Sequence, residues 1–136
     1  MTKKENTPLS GKRILLAEDS EISASLISAL FRQQGVLVDW VENGALALEA
    51  MKKSAYGEYK MILMDINMPE MNGLEAAAAI RQLERPDASR TPILGFSADS
   101  PYRYKPEEAA AYGITDIIAK PIDKDGLRKI RKHLLS

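Results

Sequence analysis

Asp65 closes an apolar run, Met61-Ile62-Leu63-Met64, and leads into Ile66-Asn67-Met68-Pro69-Glu70-Met71-Asn72-Gly73. A carboxylate carried out of a buried strand into such a turn is placed to act as a nucleophile or a metal ligand. Glu18 and Asp19 end a second apolar run, Arg13-Ile14-Leu15-Leu16-Ala17, in the same way, and a third strand-like segment runs into Lys120-Pro121. Side by side, these strand ends would bring three acids and one lysine to one edge of a parallel sheet. Alone, the three carboxylates would repel one another, raising at least one pKa or destabilising the site. A hard divalent cation removes that conflict, because Mg²⁺ binds through one or two carboxylates, a carbonyl and waters. The set therefore suits a cation and a phosphoryl group. A structural role competes for Glu18-Asp19, since Asp19 and Ser20 are both good N-caps for a helix starting near Glu21.

The elements that must position these residues alternate between two periods. Residues 13–17, 36–41, 60–64, 92–96 and 115–119 read as five short strands. Residues 21–34 read as a helix with Ile22, Leu26, Leu30 and Phe31 on one face, stopped by Gly35. Asn43-Gly44 turns the chain into a helix over 45–53, and a further helix covers 74–83. The next one starts late, at Pro106, with Glu107 and Glu108 at its positive end and Gly113 as its stop. A closing helix covers 124–134, with Leu127, Ile130 and Leu134 inward, a solvated Lys/Arg face, and His133 answering the electrostatics of the helix end. Strands alternating with helices imply right-handed crossovers and a parallel sheet covered on both faces. Ligands of such sheets bind at the carboxyl ends of the strands.

The chain has 136 residues, 45% hydrophobic and 28% charged, which fits one globular domain. Lys+Arg and Asp+Glu both number 19, so net charge favours neither nucleic acid nor an anionic membrane as partner. Cysteine is absent, which excludes disulfides and thiolate metal sites and fits a cytoplasmic location. Residues 1–10 read as a flexible polar leader without a signal-peptide core, and residues 11–136 as the folded domain.

In family order, the acidic pair Glu18-Asp19, the Met64-to-Gly73 segment, Ser97-Ala98 and Lys120-Pro121 resemble the receiver domain of two-component response regulators, from about Lys12 to Leu135. The phrasing around Asp19 and Asp65 is most similar to receivers of hybrid histidine kinases. The resemblance implies a flavodoxin-like (βα)5 fold with strand order 2-1-3-4-5 and helices on both faces. Asp65 is then the phosphoacceptor, assisted by Lys120 and by the Ser97 hydroxyl, with small Ala98 leaving the phosphoryl group room. Mg²⁺ would be held by Asp19, Asp65 and the Asn67 main-chain carbonyl, with Glu18 as an outer or water-mediated ligand. The resemblance further implies a cis Lys120-Pro121 bond, a role for Asn67 and Asp99 in tuning phosphoryl lifetime, and a sensor histidine kinase or histidine phosphotransfer protein as donor.

The pattern has departures. Receivers usually carry Tyr or Phe three residues before the lysine, where this chain has Ile117, so an aromatic switch is absent. The segment from Asp99 to Pro106 contains two prolines, which predicts a longer loop displaying Tyr102 and Tyr104. Three other readings compete. A degenerate receiver that binds partners without phosphorylation draws on Ile117. A dehalogenase-type phosphohydrolase would need a second Asp where Asn67 stands. A flavin carrier would find its phosphate repelled by Glu18-Asp19.

Overall fold

The computed structural model describes residues 9–68, 70–97 and 106–135. Ala98, Asp99, Tyr102 and Tyr104, and with them the expected 99–106 loop, lie outside the described residues, apart from the start of the helix at Pro106.

Five strands run β1 (Arg13–Ala17), β2 (Leu37–Val41), β3 (Met61–Asp65), β4 (Ile93–Ser97) and β5 (Asp116–Ala119). All neighbouring pairs are parallel, in the order β2-β1-β3-β4-β5. The helices are α1 (Glu21–Arg32), α2 (Gly44–Lys53), α3 (Gly73–Arg81), α4 (Pro106–Ala111) and α5 (Lys124–Leu135). The expected elements are all present, with ends shifted by one or two residues. Among the described residues no helix is long and apolar enough to cross a membrane.

The strand alternation sorts side chains into two cores, because successive residues of a strand face opposite sides. Leu15, Ala17, Ile62 and Met64 pack with Ala47, Met51, Ala76, Ala77 and Ile80, under α2 and α3. Ile14, Leu16, Met61, Leu63 and Phe96 pack with Ala24, Ile27, Phe31, Ile130 and Leu134, under α1 and α5. β3, the middle strand, is buried at all five positions, so nothing but its carboxyl end meets solvent. Each fully buried Leu or Ile contributes about 2 kcal/mol.

The apolar face read for α1 is buried only in part. Ile22 and Leu26 are 76% and 69% exposed, while α1 buries Ala24, Ile27, Ser28 and Phe31. Small Ala24 and Ser28 let the helix sit close to the sheet, and the bulkier Ile22 and Leu26 are turned outward. Leu9, assigned to the polar leader by composition, is 2% exposed and belongs to the core beneath α1 and α5.

Close approach fixes two glycines. A Cβ on Gly73 would lie 2.5 Å from the Asp65 carbonyl oxygen, and one on Gly44 would lie 2.5 Å from that of Met71. Gly73 thereby lets α3 start directly against the turn that follows Asp65, where its N–H donates to the Ile66 carbonyl at 2.9 Å. The start is reinforced by Asn72 and Glu75, each of whose side chains accepts the other's main-chain N–H.

Candidate functional site at the carboxyl edge of the sheet

The register explains why distant residues meet. Ala17 pairs with Met64, Asp65 with Phe96, and Ser97 with Ala119, so four strand ends share one edge. Glu18, Asp65, Ser97 and Lys120 lie at or just beyond those ends.

Lys120 is the centre of the site. Its Nζ donates to both Glu18 oxygens, at 2.8 and 3.0 Å, and to Asp65 Oδ2 at 2.9 Å. Those three bonds use every proton of the ammonium. The same Nζ lies 5.0 Å from the centroid of the buried Phe96 ring, a cation–π contact beneath the charge. The Lys120-Pro121 bond is cis. Asp65 Oδ1 accepts the Asn67 main-chain N–H at 3.0 Å, and Asn67 Nδ2 reaches Ser97 Oγ at 3.4 Å. Glu18, Asp65 and Ser97 are all buried, whereas Asp19 is exposed.

The electrostatics follow from burial. Desolvation, reinforced by neighbouring Asp65, pushes the Glu18 carboxyl up to about 7 despite the opposing pull of Lys120. Burial works against the Lys120 ammonium, but its bonds to Glu18 and Asp65 outweigh this and raise its pKa. The cluster therefore holds more negative charge than one lysine neutralises.

One carboxylate oxygen each from Glu18, Asp19 and Asp65 lie within 4.8 Å of one another. Hard oxygen donors at that spacing fit a divalent cation that Asp19 meets from the solvent side. Glu18, expected as an outer ligand, directs both its oxygens to Lys120.

Ile117 is 6% exposed and packs with Met64, Ala109 and Ile114. Its aliphatic side chain is ordinary core. Pro121 lines a groove of about 190 Å³ with Ser23, Leu26, Ile27, Lys120 and Ile122, running from the site along α1. On the far side of β5, Asp116 Oδ2 is 3.2 Å from His133 Nε2 and its Oδ1 is 3.6 Å from Lys129 Nζ, so this part of the basic α5 face is paired.

Several side chains escaped the sequence reading: Trp40 and Phe96 beside the site, and two arginines that clamp loops away from it. The Trp40 indole N–H donates to the Glu18 carbonyl at 2.7 Å, and Phe96 underlies Lys120. Arg81 spends its guanidinium on the carbonyls of Ala88, Thr91 and Gly113. Arg85 joins the loop after α2 to Asp87, through the Met51, Ser54 and Ala55 carbonyls. The only sequence signal was an arginine near a helix end, which carries no partner information.

A parallel α/β sheet with acids and a lysine gathered at its carboxyl edge offers a donor set that could hold a metal ion. Residues 14–132 match the response regulator receiver domain, and the chain belongs to that family. The buried acidic cluster fits the family's phosphoacceptor site. The chain is 36% identical over 134 residues to hybrid signal transduction histidine kinase B of Dictyostelium discoideum, covering 90% of this chain and 7% of that protein. It is 35% identical over 123 residues to the autoinducer 2 sensor kinase/phosphatase LuxQ of Vibrio vulnificus, covering 90% and 14%. The chain thus spans only a small part of the length of these relatives. Among solved structures, it resembles the receiver domain of a sensor histidine kinase from Pseudomonas aeruginosa PAO1, which has a magnesium ion coordinated in its active site cleft. That likeness has a TM-score of 0.80 at 30% identity and covers 93% of this chain and 100% of the other. The Saccharomyces cerevisiae Ssk1 receiver domain, co-crystallised with the histidine phosphotransfer protein Ypd1, matches with a TM-score of 0.76 at 25% identity, covering 90% and 87%.

Proposed function

We propose that Asp65 accepts a phosphoryl group from a phosphohistidine on a sensor kinase or histidine phosphotransfer protein. The observation that carries this reading is the Lys120 ammonium bonded to Asp65 and Glu18 at the open edge of the sheet. An Asp65 oxygen attacks phosphorus, the new O–P bond forms, and the N–P bond breaks. Its electron pair returns to the imidazole nitrogen, which takes up a proton. Charge spreads over the equatorial oxygens in the transition state, so positioning and neutralisation carry the catalysis. Lys120 donates to one phosphoryl oxygen and the Ser97 hydroxyl to another, while the Asn67 N–H keeps Asp65 oriented. Asp19, Asp65 and the Asn67 carbonyl would hold Mg²⁺, which supplies positive charge to the phosphoryl oxygens. Attack by water on the acyl phosphate then returns free Asp65 and inorganic phosphate.

The donor protein must bring its histidine to within bonding distance of Asp65, so it covers the surface beside the site. The α1 stripe of Ile22 and Leu26, next to the groove that reaches Lys120, is apolar and exposed there. The test is intact-protein mass after incubation with Mg²⁺ and acetyl phosphate. Wild type gains one phosphoryl group, while Asp65→Asn and chelated wild type gain none. No gain by folded wild type with Mg²⁺ present contradicts the reading and favours a phosphorylation-independent interaction module.

A further inference from the structure

Of the three candidate acids, Asp19 is the least supported. Among the described residues no hydrogen bond or ion pair holds its carboxylate, which is exposed. Its direction is therefore set by the main chain of the turn between β1 and α1. That turn is fixed on both sides of Glu18. The Glu18 N–H donates to the Val41 carbonyl at 3.0 Å, extending the β1–β2 ladder by one rung. The Glu18 carbonyl belongs to the peptide joining Glu18 to Asp19, and the next rung would satisfy it from β2. However, β2 ends at Val41, and Asn43 is already the N-cap of α2. The missing rung comes from a side chain. Trp40, paired with Leu16 in register, donates its indole N–H to that carbonyl at 2.7 Å, the sole donor to it among the described residues.

We propose that Trp40 is a positioning residue for the cation site: its indole fixes the Glu18–Asp19 peptide plane and so aims Asp19 toward Asp65. The inference rests on the Mg²⁺ site proposed above. Nothing else about Trp40 demands a tryptophan. It is 38% exposed on an edge strand, beside a cavity lined by Ala24, Ser25, Ser28, Arg32 and Val38, where any large apolar residue would cover α1. A bond that orders one peptide costs little when lost from a stable fold, but it costs affinity when that peptide presents a metal ligand.

The test is the dissociation constant for Mg²⁺, read from backbone amide shifts in metal-stripped wild type, Trp40→Phe, Trp40→Tyr and Leu37→Ala. Thermal unfolding of each metal-free variant runs alongside. Leu37, also exposed on β2, controls for loosening of the edge strand. Both Trp40 variants are expected to bind Mg²⁺ about fivefold more weakly, the effect of one net hydrogen bond. Leu37→Ala lowers thermal stability comparably and leaves the constant unchanged. Wild-type affinity in either Trp40 variant overturns the proposal, as does equal weakening by Leu37→Ala. If wild type itself shows no saturable Mg²⁺ binding, the cation site falls and this inference falls with it.

Discussion

Glu18 and Lys120 stand 102 residues apart in the chain, yet Lys120 Nζ contacts both Glu18 oxygens, at 2.8 and 3.0 Å. The pair crosses the sheet from the end of β1 to the end of β5 and traps Asp65 between its charges. A carboxylate pushed up to about 7 by burial and a lysine raised by its two acids describe one shared charge set.

Replacing Lys120 separates phosphorylation from cation binding. Lys120→Met removes the donor to phosphoryl oxygens and also the positive charge that competes with a cation. The initial rate of phosphorylation by acetyl phosphate is expected to fall on the order of a hundredfold. Mg²⁺ affinity, measured by titration, is expected to hold or rise. An unchanged rate would remove Lys120 from the mechanism.

Asp87 provides a stability test away from the site. It accepts from Arg85 at 2.6 and 2.9 Å and from the Gly57 N–H at 2.9 Å, joining the loops after α2 and α3. Asp87→Asn is expected to cost about 2 kcal/mol in chemical denaturation at neutral pH. The Arg85 hydrogen bond holds the Asp87 carboxyl below the usual carboxylate range, so its folded-state pKa is depressed. Its contribution is present above the unfolded pKa and lost as pH falls through the folded one. The gap between wild type and variant should therefore be flat from about pH 5 to 8 and narrow in stronger acid. A gap constant into strong acid would deny the ion pair its role.

The exposed α1 stripe separates chemistry from recognition. Ile22→Asp and Leu26→Asp change side chains that are mostly in solvent, so folding and acetyl phosphate labelling should be unaffected. Transfer from the phosphohistidine protein that charges wild type fastest should slow by about tenfold or more. Equal transfer to variant and wild type would place the donor elsewhere.

The same stripe shows where sequence reading ran out. A helical period cannot choose between Ile22-Leu26-Leu30 and Ala24-Ile27-Ser28-Phe31, which lie on neighbouring arcs of α1. The larger residues carry the apolar pattern, while the smaller ones are core because they admit the sheet. The strand ends were legible, since a parallel sheet places ligands at one edge and Glu18, Asp65 and Lys120 each follow an apolar run. The Glu18–Lys120 bridge, the Trp40 bond to a main-chain carbonyl and the arginine clamps were not. Each depends on register or on carbonyl acceptors, and neither is written in residue types. Ile117, where receivers usually carry an aromatic residue, belongs to the same buried cluster as Met64.

The most direct measurement locates the phosphoryl group. Wild type labelled with acetyl phosphate and Mg²⁺ is reduced with borohydride, which converts an aspartyl phosphate to homoserine, and its peptides are sequenced by mass spectrometry. Homoserine at position 65, absent from unlabelled protein and from Asp65→Asn, is the predicted result. Label retained on Ser97, His133 or any other residue, with Asp65 unreduced, would contradict the account.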